Sequence, residues 1–241
     1  MNKLFSKRIL VTIVLVFIAL VSFLILIHSF NEYRQGRTVY EELQNISKFP
    51  SSSQNKDTDL INEVALKEIN DNYKLWLRIN NTNINYPVVQ GIDNSYYLTH
   101  DFKFNENKVG TIFIDYKNEI NNDKNLIIYG HNMKDGSMFY DLMKYKDEEF
   151  FKENAKIIII LNNQKYTYEI FSVYTVKSTY DYIKTTFKSD NDYRGYLDNA
   201  KNNSIFKSNI EVNSNDRILT LSTCSYEFSD ARTVIHAKMI E

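Results

Sequence analysis

Three kinds of hydrophobic pattern succeed one another along the chain. From Ile9 to Phe30 the residues run ILVTIVLVFIALVSFLILIHSF, with no Asp, Glu, Lys or Arg. As a helix this run is about 33 Å long at ~1.5 Å per residue, enough to span a bilayer. It is apolar all round, whereas a helix of a soluble core keeps a polar face. Residues 31–58 then mix charges with scattered apolar positions: NEYRQGRTVYEELQNISKF reads as an exposed helix and PSSSQNKDTD as a linker. The folded domain is expected to begin near Asp59 and to run to Glu241. In LINEVALKEIN, Leu60, Ile61, Val64 and Ile69 recur at helical spacing, with Asp59 as the N-cap.

Beyond that helix the period changes to that of strands. KLWLRI, NINYPVV, GTIFID, NLIIYG, KIIIIL, KYTYEIFSVYTV, RILTLSTC and RTVIHAKMI are short runs rich in Ile, Val, Tyr, Phe and Thr, separated by Asn, Asp, Gly and Lys clusters. Eight strands without regular helices between them predict a mainly β fold, an antiparallel barrel or a sandwich. Two interruptions read as helical. One is SMFYDLMKYKDEEFF after Gly136; the other lies in the long insertion from Ser178 to Ala200, where Tyr193, Tyr196, Leu197 and Ala200 are helically spaced. Long insertions between strands are where binding surfaces are built.

Composition narrows the classes. With 43% hydrophobic and 14% aromatic residues the chain can fill a sizeable core, and a formal net charge of −1 provides no field to draw it to nucleic acid. Lys3, Lys7 and Arg8 ahead of the apolar run favour a cytoplasmic N-terminus and an external remainder, a preference that Arg34 and Arg37 weaken. The expectation is a single-pass cell-membrane anchor with the folded domain outside. A cleaved signal peptide is the rival, but it would have a shorter apolar region ending in an A-x-A-like site. The single cysteine excludes an intrachain disulfide and any cysteine-pair metal site; one cysteine with scattered histidines at no ligand spacing makes no metal site, and no cofactor is expected.

That cysteine, Cys224, ends the strand RILTLSTC. Alternation puts Leu219 and Leu221 on the core face, and Ile218, Thr220, Ser222 and Cys224 on the other. In the last strand Ile235, Ala237 and Met239 form the apolar face, opposite Arg232, Val234, His236 and Lys238. The connection 225–231 is short enough for a hairpin, so Cys224 and Arg232 should share its mouth and its non-core face. A guanidinium there supplies donors for an anionic oxygen. Four histidines compete as proton partner. His28 belongs to the apolar run, and His236 alternates with Lys238 like a surface residue. His100 in a loop and His131 at the end of NLIIYG remain candidates, His131 being better placed where a strand enters an exposed turn. The plain alternative is equally legible: a lone cysteine as a small buried hydrophobe, with Arg232 a solvated strand-end charge.

TLSTC with an arginine eight positions on in SDARTVIHAK, YGHNM upstream and an N-terminal apolar segment together resemble the sortases, and among them class B. The resemblance runs from about Asp59 to the C-terminus and includes TYDYIKTTF in the long insertion. It implies an eight-stranded sortase-type β-barrel with N-terminal helices and a helix in the insertion before the cysteine strand. It also implies a membrane-anchored cysteine transpeptidase of the Gram-positive cell envelope. By that resemblance Cys224 is the nucleophile, His131 the general acid/base and Arg232 the oxyanion or substrate-positioning residue. Leu98, Tyr182, Ile183, Ser222 and Thr223 match positions lining the peptide groove.

The partners implied are the sorting-motif peptide of a secreted surface protein, resembling Asn-Pro-x-Thr, and an amine of peptidoglycan or its lipid-linked precursor. No activating calcium ion is expected. A papain-like protease would place its cysteine before its histidine, the reverse of the order here. Two alternatives stay open: a membrane-tethered binding or adhesion domain with an inert cysteine, and a sortase that polymerises pilins or mainly hydrolyses.

Overall fold

The computed structural model describes residues 2–48 and 61–241, with side chains from Leu10 onward. The eight runs form eight strands: β1 (Tyr73–Ile79), β2 (Asn85–Val89), β3 (Ile112–Ile114), β4 (Asn125–Tyr129), β5 (Lys156–Leu161), β6 (Gln164–Lys177), β7 (Ile218–Cys224) and β8 (Ala231–Met239). They close into a barrel in the order β1-β2-β3-β4-β7-β8-β6-β5. The expectation of an antiparallel sheet is corrected at two seams, because β2 pairs with β3 and β4 with β7 in parallel. Side chains alternate with the same period in both kinds of ladder, so sequence pattern does not separate them. The β4–β7 seam has a direct consequence for chemistry: parallel neighbours end at the same rim.

Alternation fills the barrel with Leu75, Leu77, Val88, Ile112, Ile128, Ile157, Ile159, Leu219, Leu221, Ile235 and Ala237. The opposite face of β7 and β8, read from sequence as non-core, is also covered. A second cluster of Phe171, Tyr174, Ile218 and Val234 from the strands packs against Tyr182, Tyr193, Leu197 and Ala200 of the insertion. Most of those insertion residues lie on one side of helix α4 (Asp190–Asn203), which Ser189 caps by accepting from the Asp192 N–H. The helix therefore lies on the outside of the barrel wall, with β7 between two apolar layers.

The N-terminal apolar run and the segment after it form one continuous helix, α1 (Asn2–Ile46). One face of the part expected to be exposed is instead covered, with Tyr40 and Leu43 buried in the main core. Tyr40 donates to the Gly110 carbonyl at 2.5 Å. Gly36 permits the approach, since a Cβ there would stand 2.8 Å from Val109 Cγ2. The expected N-cap Asp59, the linker and Leu60 lie outside the described residues. Helix α2 (Glu63–Ile69) is capped by Asn62, which accepts from the Ala65 N–H at 3.2 Å. Starting there, it turns Leu66 into the core and leaves Val64 69% exposed, a correction to the expected apolar face. The interruption after Gly136 forms a 3₁₀ segment, Tyr140–Lys146, and a short helix α3 (Glu148–Glu153) capped by Asp147.

Candidate active site

Cys224 and Arg232 face each other as the last ladder pair of β7 and β8, following Thr223 with Thr233 and Ser222 with Val234. The thiol is partly exposed and unpaired. On the other side of β7, the parallel register sets Tyr129 of β4 beside Ser222. His131 lies two residues past the end of β4 and Cys224 two residues further along β7, so both chains leave the same rim together. Their separation holds: Gly130 N–H donates to the Ser222 carbonyl at 3.3 Å, and Asn132 Nδ2 to the Cys224 carbonyl at 3.0 Å. Tyr226 Oη in turn donates to the Asn132 carbonyl at 3.1 Å.

The imidazole of His131 is oriented by a backbone group. Its Nε2 lies 2.7 Å from the Leu98 carbonyl. A carbonyl oxygen only accepts, so Nε2 carries a proton and Nδ1 is the nitrogen left to exchange one. Gly110 makes room for this arrangement at φ +63°; a Cβ there would meet the Tyr97 carbonyl at 2.6 Å and His131 Cδ2 at 3.1 Å. Arg232 spends one donor on the neighbouring Ala231 carbonyl, Nη1 to O at 3.0 Å, leaving the remaining N–H groups of the fork.

These three groups open onto one cavity of about 320 Å³, lined also by Leu98, Tyr182, Ile183, Ser222 and Thr223. All eight residues singled out in the sequence therefore come together. Tyr182 is buried and its hydroxyl is 2.9 Å from Ser222 Oγ. Burial pushes the Tyr182 phenol above its ordinary value, while the Ser222 hydrogen bond and the Arg232 charge pull the other way. Thr223 contributes to the lining, but its hydroxyl is buried without a hydrogen-bond partner among the described residues.

Sequence reasoning passed over five lining residues: Asn94, Phe113, Tyr129, Gly130 and Ser178. Asn94 and Tyr129 both donate to Asp115 Oδ2 at 2.9 Å. Asn94 sits in an Asn- and Asp-rich turn that resembles the other turns of this chain, and only the β2–β3–β4 seam brings it to the site. Asn132 adjoins His131 in the sequence, and that adjacency was the one signal available for it.

The other histidines are elsewhere. His100 stacks on Tyr96 with ring centroids 3.9 Å apart and does not line the cavity. His236, expected at the surface, is 0% exposed. Its strand face is covered by α4 and the insertion, and burial lowers the imidazole to about 3. Among the described residues no group of three His, Cys, Asp or Glu is arranged to hold a metal ion. A partly exposed thiol, an oriented imidazole and a guanidinium around one cleft form a set suited to thiol acyl transfer.

Comparison with known proteins bears on this geometry. A family model for the sortase domain matches residues 77–240. The sortase B of Listeria monocytogenes is 38% identical over 213 residues, 87% of each chain. That of Staphylococcus aureus is 36% identical over 235 residues, 96% of each. Among solved structures, Clostridium perfringens sortase B superposes with a TM-score of 0.73 at 44% identity, covering 74% of this chain and all (100%) of that one. A Staphylococcus aureus sortase B–substrate complex gives 0.78 at 35% identity, covering 87% and 98%.

Proposed function

This chain belongs to the sortase family, class B, and is a cysteine transpeptidase; from that premise we propose that it acts at the membrane surface and that Cys224, His131 and Arg232 carry the reaction. In this reading the Cys224 thiol gives its proton to His131 Nδ1, and the sulfur attacks the carbonyl carbon of a threonine in a C-terminal sorting motif. The tetrahedral oxyanion is met by the free donors of Arg232. As the C–N bond breaks, His131 passes a proton from Nδ1 to the departing amine, and the acyl group stays on sulfur as a thioester. An amine of peptidoglycan or its lipid-linked precursor then gives its proton to His131 and attacks the thioester carbonyl; the C–S bond breaks and the Cys224 sulfur takes the proton back from His131, so that a surface protein is joined to the cell wall.

The sorting peptide would lie along Leu98, Tyr182, Ile183, Ser222 and Thr223. Helix α1 supports the anchor: it is long and apolar enough to cross a membrane, and its apolar window has a mean hydropathy of 3.3 with none of it buried against the protein. The observation that carries the reading is the ladder pairing of Cys224 with Arg232 on a strand whose parallel neighbour delivers His131.

The test uses the full chain in detergent micelles with a panel of fluorogenic sorting peptides, with and without an added amine. Cleavage at threonine, an amine-dependent product and complete loss in Cys224→Ala are expected. Cleavage that persists in Cys224→Ala removes the thiol from the mechanism, and product formation indifferent to amine makes the protein a hydrolase.

A further inference from the structure

The segment that supplies Tyr182 and Ile183 to the cleft has no ladder of its own: residues 181–189 are in neither strand nor helix. Its shape is set by side chains that reach it from outside. Tyr196 Oη of α4 donates to the Tyr182 carbonyl at 2.7 Å, and Asn125 Nδ2 of β4 donates to the Lys184 carbonyl at 2.9 Å and to Tyr196 Oη at 3.2 Å. Asn125 is completely buried, so these are hydrogen bonds without competing water.

Following the protons backward from there gives a unique direction. The Lys184 carbonyl only accepts, so the amide nitrogen of Asn125 faces the insertion and its Oδ1 faces Thr220. Thr220 Oγ1 therefore donates its single proton to Asn125 Oδ1, at 2.7 Å. The same oxygen lies 2.8 Å from His236 Nδ1 and, having given its proton away, must accept there. His236 is then the Nδ1–H tautomer. Its Nε2, 2.7 Å from Tyr174 Oη, accepts the phenol proton. Burial lowers this ring to about 3 and so keeps it neutral, which leaves Nε2 as the acceptor for the Tyr174 hydroxyl.

We propose that His236 is a positioning residue for the peptide groove, a link in a one-way hydrogen-bond chain, Tyr174 to His236 to Thr220 to Asn125, that ends on the backbone of the substrate-facing insertion. A buried chain of this kind is satisfied in one arrangement only. With the ring neutral, reversing any one link leaves a donor facing a donor or an acceptor facing an acceptor, so the insertion is held in one register against β7. Tyr182, whose hydroxyl meets Ser222, is thereby fixed both by its side chain and by its carbonyl.

This inference rests on the reading of the cleft as a peptide groove, and its test separates the two. Thr220→Val removes the central hydroxyl at constant shape, Tyr196→Phe removes one oxygen at the end of the chain, and Thr220→Ser restores the link. In the full chain in micelles, amide hydrogen exchange across residues 181–189 is expected to accelerate about tenfold in Thr220→Val and Tyr196→Phe and to return toward wild type in Thr220→Ser. With the peptide turned over best by the wild type, KM should rise about tenfold with kcat changed less than about twofold, and alkylation of Cys224 should proceed at the wild-type rate. Wild-type exchange in both variants overturns the chain as the cause of order. Faster exchange with unchanged KM overturns its role in positioning peptide. Should no peptide be turned over by the wild type, the groove reading fails and the positioning role with it, whereas the exchange result still decides whether the chain orders the insertion. If Thr220→Val does not fold, His236→Phe, which keeps a ring and removes both nitrogens of the chain, is read in its place with the same outcomes.

Discussion

Arg232 and Lys carry the same charge, yet they are not interchangeable at the position facing Cys224. The guanidinium already donates to the Ala231 carbonyl and keeps further N–H groups in a fixed plane beside the thiol. An ammonium that took the same carbonyl would lose that planar fork. Arg232→Lys is expected to lower kcat/KM by roughly 10²-fold, the scale of one lost oxyanion donor, with an unchanged melting temperature because the residue stands at the rim. Steady-state kinetics beside thermal melts check both halves, and wild-type activity in this variant removes Arg232 from oxyanion stabilisation.

His236 provides a second prediction at this scale. It faces the Tyr174 hydroxyl, the Thr220 hydroxyl and the rings of Phe171 and Tyr196, and burial holds it at about 3 against 6.5 for the ordinary imidazole. Well above pH 6.5 neither folded nor unfolded chain protonates it. As pH falls below 6.5, the unfolded chain takes up a proton that the native state refuses, so stability falls and continues to fall toward pH 3. The window from 6.5 down to about 5 precedes carboxylate titration. Urea midpoints measured across it should decline in the wild type and flatten in His236→Gln; parallel slopes would show that the ring is not buried neutral.

Among the elements, α4 has the clearest separable contribution. Tyr193, Leu197 and Ala200 face the outer cluster on β6, β7 and β8, whereas the barrel interior is filled by other residues. Leu197→Ala is expected to destabilise the protein by about 2–4 kcal/mol through lost burial and the cavity left behind. Hydrogen exchange should rise first in residues 178–203 and little in β1 and β2. Uniform acceleration would mean that insertion and barrel unfold as one unit. Strand existence was legible element by element, because Ile, Val, Tyr and Thr alternate between turn clusters. Helix ends were less so: with Asn62 as the cap, Leu66 takes the core position that spacing alone had assigned to Val64.

At the scale of the molecule, the barrel is tied to the helix that carries the apolar run. Tyr40 and Leu43 of α1 are core residues, and Lys108 pairs with Glu32 at 2.6 Å. In the proposed reading the catalytic cleft is therefore fixed to its anchor by packing, and the apolar run keeps the chain on the membrane. The full chain should sediment with membranes and require detergent for release, and a chain beginning at residue 31 should be recovered in the soluble fraction. Full-length protein recovered without detergent contradicts the anchor.

The sequence alone determined what local rules can decide. The apolar run, the eight strands, the helix in the insertion and the hairpin that sets Cys224 against Arg232 all depend on residues near one another in the chain, where periodicity and turn chemistry act. The motif TLSTC with its arginine and YGHNM carried the family. Tertiary structure decided the rest, because those contacts join segments far apart. The parallel seam of β4 and β7 brings His131 to the rim of Cys224, although the alternation of either strand is the same in both directions. The outer face of β7 and β8 looks polar in sequence and becomes interior only when α4 closes over it. His236 shows the difference most plainly: alternating with Lys238, it reads as a surface residue, yet it is enclosed by side chains from β6, β7 and α4 that no local pattern places beside it.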